Sequence, residues 1–357
     1  MTLTEEHVHH AVLGGTLLGG GGGGSAELGR ELGVEAIKHG GAVLLDIDEI
    51  EPEKILITCS LVGAPAAKNI CVRPVDYVES FDILEQNFKR PIAGIIANEC
   101  GAVACVNGWL QAAVKKIPVI DAPGNGRAHP TAAMGSMGLH TNRKYVSMQG
   151  VAGGDRETNS YVSGFIAGSI ENVSSAVRSL SALAGGMVAV ARNPVEVSYV
   201  KANGAPGAIR QAIKVGKAMD RTRSSGSEVV AAAAMEILGG EIVCKDRVSS
   251  LHIITEGGFD VGNLKIGKYD IVFCNEYLTI DSATEGRIAT FPDLIALVDA
   301  TDGTPVTSAG LRERQCVYLL NVPARRLLLG QGMFYRKLYE SVEKISGKKL
   351  FDHLRIP

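Results

Sequence analysis

The stretch Asp121-Ala-Pro-Gly-Asn-Gly-Arg-Ala-His-Pro130 places a carboxylate, an amide, a guanidinium and an imidazole within ten residues. Glycines and prolines fix the backbone between them. A loop that only reversed the chain would need the glycine and proline but not the four polar groups, and polar loop residues on a rigid scaffold often carry function. The preceding run Ile117-Pro-Val-Ile120 reads as a short buried strand. The loop would then lie at the carboxyl end of a strand, where open α/β sheets place their chemistry. Asp121 and His129 are candidate acid–base groups. Asn125 and Arg127 are candidates for orienting a substrate, Arg127 by a bidentate grip on a carboxylate. The competing reading of Arg127 is a salt bridge to Asp121 that ties the loop down.

A second strand, Ile92-Ala-Gly-Ile-Ile96, runs into Asn98-Glu99. If the two strands are neighbours in a parallel sheet, Glu99 and Asp121 share one edge. Two carboxylates and an imidazole there can work as general acid and base, or hold a divalent cation, so Glu99, Asp121 and His129 are both the catalytic and the metal-ligand candidates. Asn98 is a substrate contact in this reading. His140 and the pair His9-His10 are further nitrogen donors. Glu99 alone is equally well read as a carboxylate favouring a helix N-terminus.

Six consecutive glycines, Gly19 to Gly24, precede Ser25. Backbone N–H groups in such a loop, opening onto a helix, can face an anion, which makes Gly22, Gly23, Gly24 and Ser25 substrate-binding candidates. Close packing against a neighbouring element would demand glycine equally well. No lysine of a phosphate-binding loop follows, which weakens a nucleotide-dependent alternative with ATP phosphates on this run. Cys59 and Cys100 are read as buried structural thiols more readily than as nucleophiles. Glu276 and Asp293 are expected at strand edges, either across a cleft from the first half or as turn and cap residues.

The elements that position these groups alternate. Residues 5–18 read as a helix, Ser25 caps a second one over 27–38, and strands are expected at 42–46, 54–58, 92–96 and 117–120, with a helix over 102–115 between the last two. This pattern predicts a mostly parallel sheet carrying helices. Residues 160–185 read as helix, 187–191 as strand and 207–219 as helix. From about residue 240 short β-type runs dominate, ending in a helix over 333–345. We expect an N-terminal α/β domain over 1–170 and a strand-rich α+β domain over 171–357.

Composition bounds the partners. The net charge is −2 and no basic stripe appears, which excludes nucleic acid and anionic membrane as expected partners. Aromatic residues are 5% of the chain, too few for stacking platforms. The seven cysteines contain no Cys-x-x-Cys pair and mostly sit in apolar runs, a pattern of reduced thiols. No signal peptide and no spanning apolar stretch are read, so the expected location is cytoplasmic and the expected partner is a small-molecule substrate.

The Gly-rich start, Gly63-Ala-Pro65, Asn98-Glu99, the 121–130 loop, Gly257-Gly-Phe259, Asn275-Glu276 and Pro292-Asp-Leu-Ile295 occur in this order. Together they resemble the S-methyl thiohydantoin desulfurase family, over nearly the whole chain. The most specific element is the Asp-x-x-Gly-x-Gly-Arg-Ala-x-Pro loop. The resemblance implies a three-layer α/β domain followed by a module similar to swivelling β/β/α domains. It further implies hydrolytic attack on a thiohydantoin- or hydantoin-like ring with release of sulfide or a thiol. A divalent metal, a homo-oligomeric state and association with hydantoinase- or oxoprolinase-like systems, as enzyme or non-catalytic partner subunit, are expectations of the same kind. The chain departs from the family loop in having Pro123 in place of a second acidic residue, and His129-Pro130-Thr131 where Phe-Pro-Glu is usual.

Overall fold

The structure, a computed structural model, describes residues 1–63, 67, 69–256 and 259–354. Ala64, Pro65, Gly257 and Gly258 of the motifs quoted above lie outside the described residues. The first half contributes α1 (Glu5–Leu18), α2 (Ala26–Lys38), β1 (Leu44–Leu45), β2 (Ile55–Gly63), α3 (Pro74–Phe88), β3 (Ile92–Ala97), α4 (Trp109–Lys115) and β4 (Val119–Ile120). There follow β5 (Ser147–Gly153), β6 (Val162–Gly168), α5 (Ile170–Leu183) and β7 (Met187–Glu196), then the helices α6 (Val197–Asn203), α7 (Ala208–Thr222) and α8 (Ser227–Leu238). The second half is built from β8 (Glu241–Glu256), β9 (Phe259–Ile266), β10 (Tyr269–Cys274), β11 (Glu276–Ser282), β12 (Gly286–Thr290), β13 (Leu294–Asp299), β14 (Pro305–Val306), β15 (Cys316–Val322) and α9 (Glu340–Ser346).

The first sheet has the order β1-β4-β3-β2-β7-β5-β6. It is parallel from β1 to β2 and antiparallel from β2 to β6. The parallel part is the one the alternating pattern predicts, with α3 and α4 as crossovers. The antiparallel part comes from elements that pattern misses. Residues 162–168 form β6 rather than the start of a helix, because their alternate positions face the helix α5 and solvent with period 2. The expected helix over 102–115 divides into a 3₁₀ turn at Ala104–Val106 and α4, with Gly108 at φ 90° between them. The terminal helix is shorter than the spacing predicts: residues 331–338 form 3₁₀ turns before α9. β7 lies beyond residue 170 in sequence yet joins the first sheet between β2 and β5.

The second sheet is antiparallel throughout, in the order β12-β11-β10-β9-β8-β15-β13-β14. β8 is long enough to pair with β15 through its first part and with β9 through its second. The two halves share one apolar core. Leu17 of α1, Trp109, Ile209 of α7, Met235 of α8 and Leu320 of β15 belong to a single buried cluster. α1 lies along α7 at backbone contact: a Cβ on Gly14 would strike the Ala212 carbonyl, and one on Gly216 would strike the His10 carbonyl. No helix among the described residues is long and apolar enough to cross a membrane.

Candidate active-site cleft

The glycine run joins the two halves. Thr4 caps α1, which delivers the chain into Gly19. From there Gly20 and Gly21 offer carbonyls to the second half: Tyr277 donates its N–H to Gly20 at 2.7 Å, and Ser308 donates its N–H to Gly21 at 2.9 Å. Gly23 offers its carbonyl to the first half, accepting from Val103 N–H at 3.0 Å. Its Cα lies against Gly101, where a Cβ would not fit, and its φ is +80°. Close packing therefore accounts for the glycines, and the same packing leaves Gly22, Gly23, Gly24 and Ser25 lining a cavity of about 570 Å³. Ser25 is also the cap of α2, accepting the Leu28 N–H at 3.4 Å.

One wall of the cavity is the carboxyl edge of the first sheet. Asn98 and Glu99 leave β3 there, and His129 arrives from the 121–130 loop. His129 Nε2 lies 3.0 Å from Glu99 Oε2, and its backbone N–H donates to the same oxygen at 3.2 Å. Asn98 Nδ2 lies 3.3 Å from the same imidazole nitrogen. Asn98 Oδ1 accepts from Arg192 Nη2 at 2.6 Å, which fixes the amide orientation. Arg192 sits within β7 and is buried; burial lowers its pKa to about 10, with the charge of Glu99 acting the other way. Its Nε has no hydrogen-bond partner among the described residues, and neither do Ser60 Oγ and Asn107 Oδ1, which line the same cavity.

The opposite wall comes from the second half. Glu276 opens β11, is 2% exposed, and lines the cavity. Its Oε2 has no partner among the described residues. Burial holds its pKa well above the usual carboxylate range; repulsion from Glu99 adds to this and the Arg127 charge opposes it. A carboxyl in this state keeps its proton to higher pH than an exposed one. Gly22 makes the space it fills, because a Cβ there would overlap Glu276 Oε1.

The 121–130 loop is otherwise structural. The Asp121 side chain is fully buried away from the cavity. Its Oδ1 accepts from Ile209 N–H at 2.7 Å and its Oδ2 from Arg210 Nη1 at 2.9 Å, so it anchors the first turn of α7. Burial raises its pKa, and the Ile209 and Arg210 hydrogen bonds counter that. Asn125 holds its own loop, donating to the Arg127 carbonyl at 2.8 Å and accepting from Gly330 N–H at 2.9 Å. Arg127 reaches the second half, donating to the Pro292 carbonyl at 3.2 Å and to that of Asp293, over the ring of Phe291. These bonds run to the second half and not to Asp121, whose oxygens are held by Ile209 and Arg210; Asn125 and Arg127 line no part of the cavity.

Glu99 and His129 therefore meet, and Asp121 does not join them. As a ligand set the three fail to assemble, since the Asp121 oxygens are committed to α7 and its neighbour Arg210. Among the described residues, the group of three or more donors near enough to share an ion is His9, His10 and Asp220, outside the cleft. His140 stacks edge-on against Tyr335, with ring centroids 4.9 Å apart. The thiols of Cys59 and Cys100 are buried and held toward the neutral form, Cys59 by burial and Cys100 first by its neighbour Cys105 and then by burial. Asp293 spans a turn, accepting from Ala324 N–H at 2.7 Å. Sequence reasoning missed Arg192, Ser60 and Asn107. Arg192 alone carried a signal, as a charge directly after the apolar run Met187–Ala191.

Two family models match the chain in tandem. That of the S-Me-THD-like N-terminal domain covers residues 6–162, and that of the S-Me-THD-like C-terminal domain covers residues 169–332. A crystal structure of a protein from Chromobacterium violaceum superposes with a TM-score of 0.70, covering 96% of each chain at 17% sequence identity. At that identity the likeness shows the fold. No curated protein matches the chain.

Proposed function

The chain belongs to the S-methyl thiohydantoin desulfurase-like family, and we propose that it removes the sulfur substituent of such a ring by hydrolysis in the cleft between its halves. The observation that carries this reading is the pairing of Glu99 with His129 on one wall, faced by the buried carboxyl of Glu276, whose Oε2 has no partner among the described residues, on the other. One wall can accept a proton while the other donates one, which is the division of labour hydrolysis requires.

In this reading water attacks the ring carbon that bears the S-methyl group. The Glu99–His129 pair takes the proton released as the C–O bond forms. The C–S bond then breaks, and the Glu276 proton goes to the departing sulfur, releasing methanethiol; the second proton of the water passes from the added oxygen to the ring nitrogen, leaving a ring carbonyl beside an N–H. A proton transferred from the Glu99–His129 side returns Glu276 to its neutral form. Arg192 Nε–H serves charge developing on the ring, while Asn107 Oδ1 accepts a ring N–H. Their lack of protein partners supports this assignment, since buried polar groups are normally paired. Glu99 and His129 offer two donors to a divalent ion, and no step here depends on one.

The test is to incubate the purified chain alone with an S-methyl thiohydantoin in ¹⁸O-labelled water and trap the thiol. The reading expects thiol release with one labelled oxygen in the ring product per turnover. No release from the chain alone would withdraw it.

A further inference from the structure

We propose that His9, His10 and Asp220 form a divalent transition-metal site, of the zinc class, on the α1–α7 helix pair outside the cleft. His9 Nε2 lies 3.2 Å from Asp220 Oδ1, and His10 Nε2 lies 3.4 Å from Asp220 Oδ2. The ligand atoms of the three residues all fall within 4.8 Å of one another. Two imidazole nitrogens and a carboxylate oxygen are a donor set that suits zinc and its neighbours, and is poorly matched to calcium or magnesium.

The geometry is held before any ion arrives. α1 and α7 meet at backbone contact through Gly14 and Gly216, and a Cβ at Gly216 would strike the carbonyl of His10 itself. The helix bearing the two imidazoles therefore cannot slide past the one bearing the carboxylate. His10 is buried, with its Nδ1 facing Glu6 Oε1 at 3.9 Å, so its Nε2 is the nitrogen turned toward Asp220. Lys217 lies 3.7 Å from the same Glu6 carboxylate and ties it to α7.

The side chains of His9 and Asp220 are 42% and 40% exposed, which leaves an open face. Three protein ligands and an open position for water form a complete coordination shell for zinc. An ion here would replace the two His–Asp hydrogen bonds. It would clamp the first turns of α1 to the last turn of α7, at the end of α1 opposite the glycine loop. Binding the folded chain alone, it would raise thermal stability in proportion to its occupancy.

The experiment uses the full chain after treatment with a chelator. Zn²⁺ is titrated by calorimetry, Co²⁺ is followed by visible absorption, and the melting temperature is read with and without Zn²⁺. The proposal expects one equivalent of Zn²⁺, a visible Co²⁺ band and a raised melting temperature. It expects His9→Gln and Asp220→Asn, both at partly exposed positions, each to weaken binding at least tenfold and to lose the Co²⁺ band. Glu99→Gln is expected to bind as the wild type does. Absence of uptake would overturn the proposal. So would uptake that survives both helix variants, or uptake that Glu99→Gln removes, which would place the ion in the cleft.

Discussion

Gly22 and Glu276, 254 positions apart in sequence, occupy one another's space: the carboxyl of Glu276 rests where a side chain on Gly22 would begin. The glycine loop of the first half thus shapes the acid supplied by the second. Gly22→Ala should displace that carboxyl while leaving the loop's backbone bonds to Tyr277, Ser308 and Val103 in place. We predict a fall in kcat of about 10²-fold, the lower range for a displaced general acid, with little change in melting temperature. Steady-state kinetics beside a thermal melt would check it. An unchanged kcat would mean the carboxyl has no role in turnover.

Glu276→Gln should separate activity from stability. In the unfolded chain this carboxyl ionises near about 4.3. Burial, reinforced by Glu99, raises its folded value well above that. The folded state therefore keeps a proton that the unfolded chain gives up. Its stabilising contribution is complete below the unfolded pKa and is lost as pH rises through the folded one. Glutamine does not titrate. The variant should gain stability relative to the wild type as pH rises above about 4, yet lose about 10²- to 10⁴-fold in kcat. Melting curves across that range, with kinetics at one pH, test both halves.

Wild-type kcat should fall as pH rises through the raised folded pKa of Glu276, where the group loses the proton it donates. In Glu276→Gln this falling limb should disappear from the residual activity. A limb that persists unchanged would assign the titration to another group.

Asp121→Asn should act on folding and leave the chemistry nearly untouched. The carboxylate anchors the first turn of α7 through Ile209 and Arg210, and hydrogen bonds to a charged group contribute about 1.5–3 kcal/mol each. An amide oxygen can keep the Ile209 bond, so the loss should be about 1.5–3 kcal/mol, read from denaturant midpoints. The kcat should stay within a few fold of the wild type. A loss of 10³-fold with full stability would return Asp121 to the catalytic machinery.

Parts of this arrangement were legible in the residues. The rule that strand carboxyl ends carry chemistry brought Glu99 and His129 forward as candidates, and the helix cap Ser25 follows from local preference. Asp121, Asn125 and Arg127 look identical to site residues in sequence, because a buried loop needs polar side chains to satisfy its own backbone as much as a ligand does. Which need they meet depends on α7, Gly330 and Pro292, all distant in sequence. β5 and β6 escaped notice because glycine and serine dilute their alternation. Ser60 and Asn107 carry no local mark, since a small polar group in an apolar run becomes informative only when a cavity opens beside it.

The most direct test of the account is the rate of thiol release by Glu99→Gln under saturating S-methyl thiohydantoin. The glutamine keeps the shape of the contact with His129 but cannot share a proton with it. The account predicts a folded protein that binds the ring and turns it over about 10²- to 10⁴-fold more slowly. Thiol release at the wild-type rate would contradict it.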